Sequence, residues 1–194
     1  AIIRNIWEPF KEMFEKACPS LDIEPAEISW DYVYSREKLA TLKGKKLHGK
    51  RNHINKFIQE HPDFEYKRLE PSMYDECIAV YDEWKEGKGL SETEFSNERR
   101  SVVLAITNME ALGLTGGVIK LDGKIKAFTI GERIREDVQL IHIEKADSEI
   151  NGLFPMINQQ YVLNECKDVE YINREEDMGI EGMRKAKRSY YPDY

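Results

Sequence analysis

The chain has 194 residues, of which 41% are hydrophobic and 34% are charged, and its formal net charge is −7. This composition is typical of a soluble folded domain and excludes a disordered chain. No apolar run in the sequence reaches the roughly 20 residues that a transmembrane helix needs, so a membrane-spanning segment is excluded. The negative net charge argues against a protein that coats nucleic acid, because the field of the whole molecule repels phosphate.

The cysteines and the N-terminus indicate a cytoplasmic protein. Cys18, Cys77 and Cys166 are far apart and odd in number, which favours reduced thiols without disulfides or a metal site. The chain starts without Met and without a basic-then-apolar leader, so we expect a fragment of a longer, non-secreted protein. The motifs of nucleotide hydrolysis, zinc proteolysis and serine hydrolysis are absent from the sequence.

The N-terminal part is predicted to be a helical extension. Apolar residues at helical spacing predict a helix over 3–17, and a loop with two prolines follows over 18–29. Alternating aromatic residues predict a short strand over 30–35. Ser35 is a suitable N-cap for one long helix over 36–62.

From residue 64 onward, the predicted order is strand, two helices, three strands, helix, strand and helix. This order defines an α/β fold with a mixed sheet. Asp122-Gly123 predicts a tight hairpin between the first two of the three consecutive strands. The predicted strands are 64–70, 116–122, 124–132, 138–147 and 169–175, and the predicted helices are 71–87, 91–114, 152–166 and 179–190.

Four segments together resemble a known family: LKGKKLHGKRNHINKF, GGVIKLDGKIKAFTIGE, IHIEKADSEINGLFPMINQQY and YINREEDMGIEGMRKAKRSYYP. They are similar to the phosphatidylglycerol lysyltransferase C-terminal domains, and most of all to the soluble stand-alone bacterial members of that family. The resemblance implies an acyl-CoA N-acyltransferase (GNAT)-like fold, with two such domains in tandem. Residues 1–35 are then the remnant or linker of the first domain. Residues 36–194 form the second, which in this family continues into one or two more strands.

The resemblance also implies a class of reaction. Family members transfer an acyl or aminoacyl group to an amine or a hydroxyl group. In the lysyltransferase branch, the donor is aminoacyl-tRNA and the acceptor is a lipid headgroup. We expect direct transfer with no covalently bound cofactor, and aminoacyl-tRNA or acyl-CoA as the donor. An acyl-CoA-dependent N-acyltransferase acting on a small amine, and a non-catalytic binding module of the same fold, are the alternatives.

The donor is expected at the turn before the helix 152–166. Acyl-CoA transferases hold a pyrophosphate at this turn with a glycine-rich loop and a helix N-terminus. This chain keeps Gly152 but has Glu149 and Phe154 at the flanking loop positions, which weakens coenzyme A as the donor. Basic residues of the last helix could bind phosphate, or could form a solvated face. The predicted donor-binding residues are Gly152, Asn158, Arg184, Lys187 and Arg188.

A general base is expected on the strand 138–147. Alternation of side chains places Leu140, His142, Glu144 and Ala146 on one face of this strand. A carboxylate or an imidazole near the end of the strand could deprotonate an amine, and Glu144 is a better candidate than His142. A hydrogen-bonded buried pair is the alternative.

Tyr190 is the candidate general acid, a role that the resemblance implies because a tyrosine often protonates the leaving group in this fold. We expect Glu144→Gln and Arg174→Ala to abolish transfer and to leave the fold intact. The competing interpretation of Glu144 is an ion pair with Arg174 or Lys145.

An acidic turn follows the strand 169–175. Three neighbouring acids raise one another's pKa and attract a cation, such as the ammonium group of an amine acceptor. A solvated turn, with Asp177 near the N-terminus of the last helix, is the alternative. The predicted substrate-binding residues are His142, Asn173, Arg174, Glu175, Glu176 and Asp177.

The segment 42–57 is strongly basic for an acidic protein. It predicts a local binding site for a polyanion such as the acceptor stem of tRNA. Anionic lipid and the acids of this chain are the alternative partners. The predicted polyanion-binding residues are Lys45, Lys46, Lys50 and Arg51.

Overall fold

The computed structural model describes residues 3, 6, 8–86 and 92–194. The strands are β1 (Val33–Ser35), β2 (Glu65–Arg68), β3 (Thr115–Leu121), β4 (Lys124–Arg135), β5 (Val138–Ala146) and β6 (Tyr171–Asn173). The α-helices are α1 (Lys11–Ala17), α2 (Arg36–Thr41), α3 (His48–Glu60), α4 (Tyr74–Glu86), α5 (Glu92–Thr107), α6 (Leu153–Glu165) and α7 (Glu181–Arg188).

The described strands form one six-stranded sheet in the order β1-β6-β5-β4-β3-β2. β5 and β6 are parallel, and the other neighbours are antiparallel. The mixed sheet and the order of elements predicted from residue 64 onward are confirmed. The predicted hairpin is also confirmed, since Asp122 and Gly123 have positive φ values of 51° and 76°, as a two-residue turn requires.

Helices cover both faces of the sheet. On one face α6 packs against β3, β4 and β5, and α2 and α3 pack against α6. Phe57, Tyr161 and Ile172 are buried in this layer. On the other face α4 packs on the sheet, and Tyr81 and Phe128 are buried there. Within the described part of the chain, no helix combines the length and the apolarity that crossing a membrane requires.

The predicted single helix over 36–62 is wrong, because α2 and α3 are separated by a loop. α2 ends at Leu42, which has a left-handed φ of 50° and whose N–H bonds to the carbonyl of Lys38. Gly44 follows with a φ of 96°. The break lets both Leu42 and Leu47 turn into the core, where they are buried. Burial of two leucines therefore outweighs the continuity of the helix.

The predicted boundary after residue 35 separates a strand from its own sheet. Val33 pairs with Asn173 and Ser35 with Tyr171, so β1 is an edge strand of the domain. The backbone of Val33 also bonds to residues 193–194 at the other end of the chain. Residues 33–35 therefore belong to this sheet. The assignment of the residues before them to an upstream domain stays a prediction.

Candidate functional site

β5 and β6 run side by side for only three residue pairs, from Val138 with Tyr171 to Leu140 with Asn173. β5 continues to Ala146, and beyond Leu140 no strand of the described residues pairs with this edge. Arg174, the first residue after β6, extends its side chain to Glu144 on this part of β5. The separation of the two strands therefore opens a place for polar side chains inside the sheet layer.

A β-bulge interrupts β5 opposite β4. Ile143 pairs with Ile130 and Ile141 pairs with Gly131, so His142 is one extra residue between the two pairs. Such a bulge reverses the facing of the side chains that follow it.

The bulge makes the predicted alternation on β5 wrong. We expected Leu140, His142, Glu144 and Ala146 to share one face. Instead, Ile141 before the bulge and Ala146 after it are buried in the core under α6, and Glu144 bonds to α6, whereas His142 is exposed. His142 and Glu144 therefore do not lie on the same face of β5, as the sequence had suggested.

Glu144 joins Arg174 and Asn158 in a buried polar cluster. Nη2 of Arg174 donates to Oε1 of Glu144 at 2.9 Å, and Nδ2 of Asn158 donates to Oε2 at 2.7 Å. The side chains of Arg174 and Glu144 are only 12% and 11% exposed, and Asn158 is 1% exposed. Nη1 of Arg174 and Oδ1 of Asn158 are buried without a hydrogen-bond partner in the described structure. Because buried polar groups are nearly always paired, these atoms mark a place for a ligand or a water molecule.

Two tyrosine rings border the guanidinium group of Arg174. Its Cζ atom lies 5.9 Å from the ring centre of Tyr34 and 5.1 Å from that of Tyr190. The two rings meet edge to face at 6.3 Å. Burial raises the pKa of the Tyr190 hydroxyl, although the charge of Arg174 acts in the opposite direction. Tyr190 therefore keeps its proton at neutral pH, and its role as general acid stays a prediction.

The acidic turn is neutralised by α7. Arg184 donates to both carboxylate oxygens of Asp177, at 2.7 and 3.1 Å, and the hydroxyl of Tyr32 donates at 2.7 Å. These bonds, led by that of Arg184, hold the pKa of Asp177 well below its usual range. Nζ of Lys187 donates to the three backbone carbonyls of 174–176, at 2.6, 3.1 and 2.5 Å. Arg184 and Lys187, both predicted to bind a donor, therefore bind the chain itself.

His142 bridges two carboxylates. Its Nδ1 lies 2.7 Å from Oε1 of Glu175, and its Nε2 lies 3.0 Å from Oε1 of Glu132 on β4. The hydrogen bond with Glu175 raises the pKa of His142, burial lowers it, and Glu132 adds to the increase. Asn173 donates to Asp31 at 2.7 Å and accepts from the backbone N–H of Glu175. Both residues thus hold the turn in shape.

The four predicted polyanion-binding residues divide into two groups. Arg51 donates to two backbone carbonyls of the loop between α2 and α3, so it closes that loop. Lys45 is exposed. Nζ of Lys46 lies 5.1 Å from the ring centre of Tyr191, and Nζ of Lys50 lies 4.2 Å from that of Tyr190. The basic segment and the Arg174 cluster therefore meet at these tyrosines.

The residues at the N-terminus of α6 do not fit the pyrophosphate of coenzyme A. Gly152 has a φ of 84°, and a Cβ atom there would overlap the backbone carbonyl of His53 and lie 3.0 Å from Cβ of Phe57. His53 also bonds to the side chain of Asn151 at 2.9 Å. α3 therefore covers this helix end, and the open approach that a phosphate needs is filled by the chain itself. Gly152 as a donor-binding residue stays a prediction without support from the geometry.

The structure brings together residues from three predicted sets. These are the catalytic candidates Glu144 and Tyr190, the donor-binding candidate Asn158 and the substrate-binding candidate Arg174. Among the remaining predicted residues, Glu176 is half-buried and Arg188 is exposed. Tyr34 was missed, although the alternation Tyr32-Val33-Tyr34 in a strand signals that two rings share one face.

Known proteins share this fold and sequence pattern. A conserved protein of unknown function from Bacteroides thetaiotaomicron is 43% identical, with a TM-score of 0.88 over 96% of this chain and 64% of that one. L-PGS from Bacillus licheniformis is 15% identical, with a TM-score of 0.62 over 95% of this chain and 62% of that one. An uncharacterized protein of Mycoplasmoides gallisepticum is 25% identical over 87% of this chain and 54% of its own length. This chain thus spans less than two thirds of each relative.

The family profile described as phosphatidylglycerol lysyltransferase, C-terminal, matches residues 2–194. This match covers nearly the whole chain, and it agrees with the fold likeness to L-PGS. The GNAT-like fold expected from the sequence is confirmed together with the family. The chain therefore belongs to the phosphatidylglycerol lysyltransferase C-terminal domain family.

Proposed function

We propose that this chain carries an acyl-transfer site centred on Arg174, Glu144 and Asn158. The group transferred is an aminoacyl group, delivered by aminoacyl-tRNA to an amine or hydroxyl acceptor such as a lipid headgroup. The observation that supports this site is that Nη1 of Arg174 and Oδ1 of Asn158 are both buried without a hydrogen-bond partner among the described residues, on two residues that bond to the same carboxylate, that of Glu144. One is a donor and the other an acceptor, as transfer between a carbonyl group and an amine requires.

Each atom has a chemical role in the proposed reaction. Nη1 of Arg174 donates to the carbonyl oxygen of the donor, where negative charge develops in the transition state. Oδ1 of Asn158 accepts a hydrogen bond from the attacking amine or hydroxyl group and so orients it. Glu144 is bonded to both residues, so we assign it the positioning of Arg174 and Asn158 rather than proton abstraction.

The overall transfer is balanced without a covalent enzyme intermediate. The acceptor nitrogen or oxygen bonds to the acyl carbon, and the bond from that carbon to the donor's oxygen breaks. One proton passes from the acceptor to the leaving oxygen. Tyr190 is the proposed carrier, since its hydroxyl is protonated and its ring lies against Arg174.

Two features support aminoacyl-tRNA over acyl-CoA as the donor. The N-terminus of α6, where other proteins of this fold hold a pyrophosphate, is covered by α3. The exposed Lys45 and Lys46 lie on the segment that leads to Lys50 and Tyr190, which is a path for a polyanion toward the cluster.

The test is a transfer assay on the purified protein with radiolabelled aminoacyl-tRNA, and with acetyl-CoA in parallel, over a panel of amine and hydroxyl acceptors. Asn158→Leu removes the acceptor atom, and we expect it to lower the transfer rate about 100-fold. Asn164→Leu is the matched control, because Asn164 lies on the exposed side of the same helix, and it is expected to keep wild-type activity.

Three outcomes contradict the proposal. Turnover of acetyl-CoA alone identifies an acyl-CoA N-acyltransferase. No turnover of any donor identifies a binding module. Equal activity of Asn158→Leu and the wild type removes the cluster from the reaction.

A further inference from the structure

Lys50 differs from three other buried or partly buried cations among the described residues. Arg174 is paired with Glu144, Arg184 with Asp177, and Lys187 with backbone carbonyls. Nζ of Lys50 is half-buried against the ring of Tyr190, and among the described residues no carboxylate lies within ion-pairing distance of it. Burial lowers the pKa of Lys50 and the charge of Arg174 lowers it further, whereas the charge of Glu144 acts in the opposite direction. A cation in this position is unfavourable unless an anion joins it.

Arg174 supplies a second, independent observation. Its Nη1 is buried and has no acceptor within the described structure. Its guanidinium group and the ammonium group of Lys50 contact the same ring, at 5.1 and 4.2 Å from the centre of Tyr190. Lys46 contacts the next ring, that of Tyr191, nearer to the surface. Three cations therefore lie along one pair of tyrosines, and among the described residues Glu144 forms an ion pair with only one of them, Arg174.

We propose that Lys50 and one N–H of Nη1 of Arg174 bind a phosphate group beside Tyr190, and that Lys46 holds the part of the ligand that extends outward. The other N–H of Nη1 remains for the carbonyl oxygen of the donor. A phosphate group carries several acceptor oxygens and can therefore serve an ammonium and a guanidinium donor that approach from different elements. The inference deepens the proposed function, because it rests on the same cluster and names a group of the substrate. The phosphate has two chemical sources, namely the end of a nucleic acid and a phospholipid headgroup.

The test measures binding without turnover, so its failure is distinct from a failure of the transfer assay. Lysines are reductively methylated with ¹³C, and the Lys50 resonance is assigned by its absence in Lys50→Arg. Inorganic phosphate is then titrated at constant ionic strength, and the pKa of the Lys50 amine is followed with and without it. We expect phosphate to raise that pKa, since an anion favours the charged amine.

Matched variants distinguish a specific phosphate-binding site from a general attraction of phosphate by the positive charges of the protein. Lys50→Gln and Lys124→Gln remove the same charge, but Lys124 is exposed at the start of β4. We expect Lys50→Gln to weaken phosphate binding about tenfold or more, while Lys124→Gln stays within about twofold. Unmethylated Lys50→Arg, which keeps the charge, is expected to bind nearly as well as the wild type.

Two further probes identify the source of the phosphate. Tighter binding of a CCA trinucleotide than of glycerophosphate supports a nucleic-acid end, and the reverse order supports a lipid headgroup. The proposal is overturned if phosphate leaves the Lys50 resonance unchanged, or if Lys124→Gln weakens binding as much as Lys50→Gln.

Discussion

Arg174 and Glu144 show why the same charged residues can serve both folding and function. Both side chains are nearly buried, and each has a partner, yet Arg174 retains one unpaired nitrogen. From the sequence we expected Arg174→Ala to leave the fold intact. The structure changes this expectation, because removal of the guanidinium group leaves a carboxylate buried without its charge partner.

We therefore predict that Arg174→Met lowers the free energy of unfolding by about 3–5 kcal/mol. The double variant Arg174→Met/Glu144→Leu is expected to recover most of this loss, since an apolar pair replaces the ion pair. Urea denaturation monitored by circular dichroism measures both values.

The control for this prediction is Lys56→Met. Lys56 and Glu60 are 56% and 48% exposed, so loss of their ion pair is expected to change stability by less than about 1 kcal/mol. If the single and double variants at the buried pair are equally destabilised, Arg174 and Glu144 are not coupled and the assigned positioning role fails.

Residue types alone identified candidates but not their partners. Glu144 and Arg174 were both predicted as site residues, and an ion pair between them was one of the alternatives. Asp177, Arg184 and Lys187 were also predicted to bind ligands. Instead, Arg184 on α7 pairs with Asp177, and Lys187 on α7 donates to the backbone of the turn that contains Asp177. The difference depends on contacts between α7 and the turn before it, which local sequence patterns do not encode.

Packing between elements decides what the N-terminus of α6 can do. Gly152 meets the backbone of α3, so the position requires glycine for two reasons, the positive φ and the close approach of His53. The sequence suggested a donor loop at this position because a glycine opens the helix. The structure shows that the glycine lets two helices touch.

We predict that Gly152→Ala lowers the free energy of unfolding by at least about 2 kcal/mol, from the left-handed backbone and the overlap with His53 together. Gly49→Ala is the matched control. A Cβ atom at Gly49 in α3 meets nothing within 4 Å, so it is expected to stabilise the protein by about 0.5–1 kcal/mol. Thermal unfolding compares the two, and a neutral Gly152→Ala would show that α3 does not close this helix end in solution.

At the scale of the whole molecule, the net charge is −7, but one small surface is basic. Arg51 is occupied by backbone carbonyls, so three of the four predicted polyanion-binding residues, Lys45, Lys46 and Lys50, remain for a ligand. The footprint on a nucleic acid is therefore small. The relatives are longer than this chain.

We predict that the affinity for tRNA falls with salt with a slope of about −2 to −3 in a plot of log K against log salt, as three phosphate contacts imply. Lys45→Gln is expected to reduce the slope by about one. Fluorescence anisotropy of labelled tRNA between low and moderate salt gives both values. A slope steeper than about −5 would place the nucleic acid on another surface, and the absence of any slope would exclude phosphate contacts.

The sequence by itself determined the order of strands and helices from residue 64 onward, the Asp122-Gly123 hairpin and the family. Periodicity and turn chemistry are local properties, so they can be read without the fold. Only the tertiary structure decided that His142 is a bulge residue, that α3 covers Gly152 and that Glu144 pairs with Arg174 across the gap between β5 and β6. Each of these depends on residues far apart in the chain, whose distances are settled by the packing of the core.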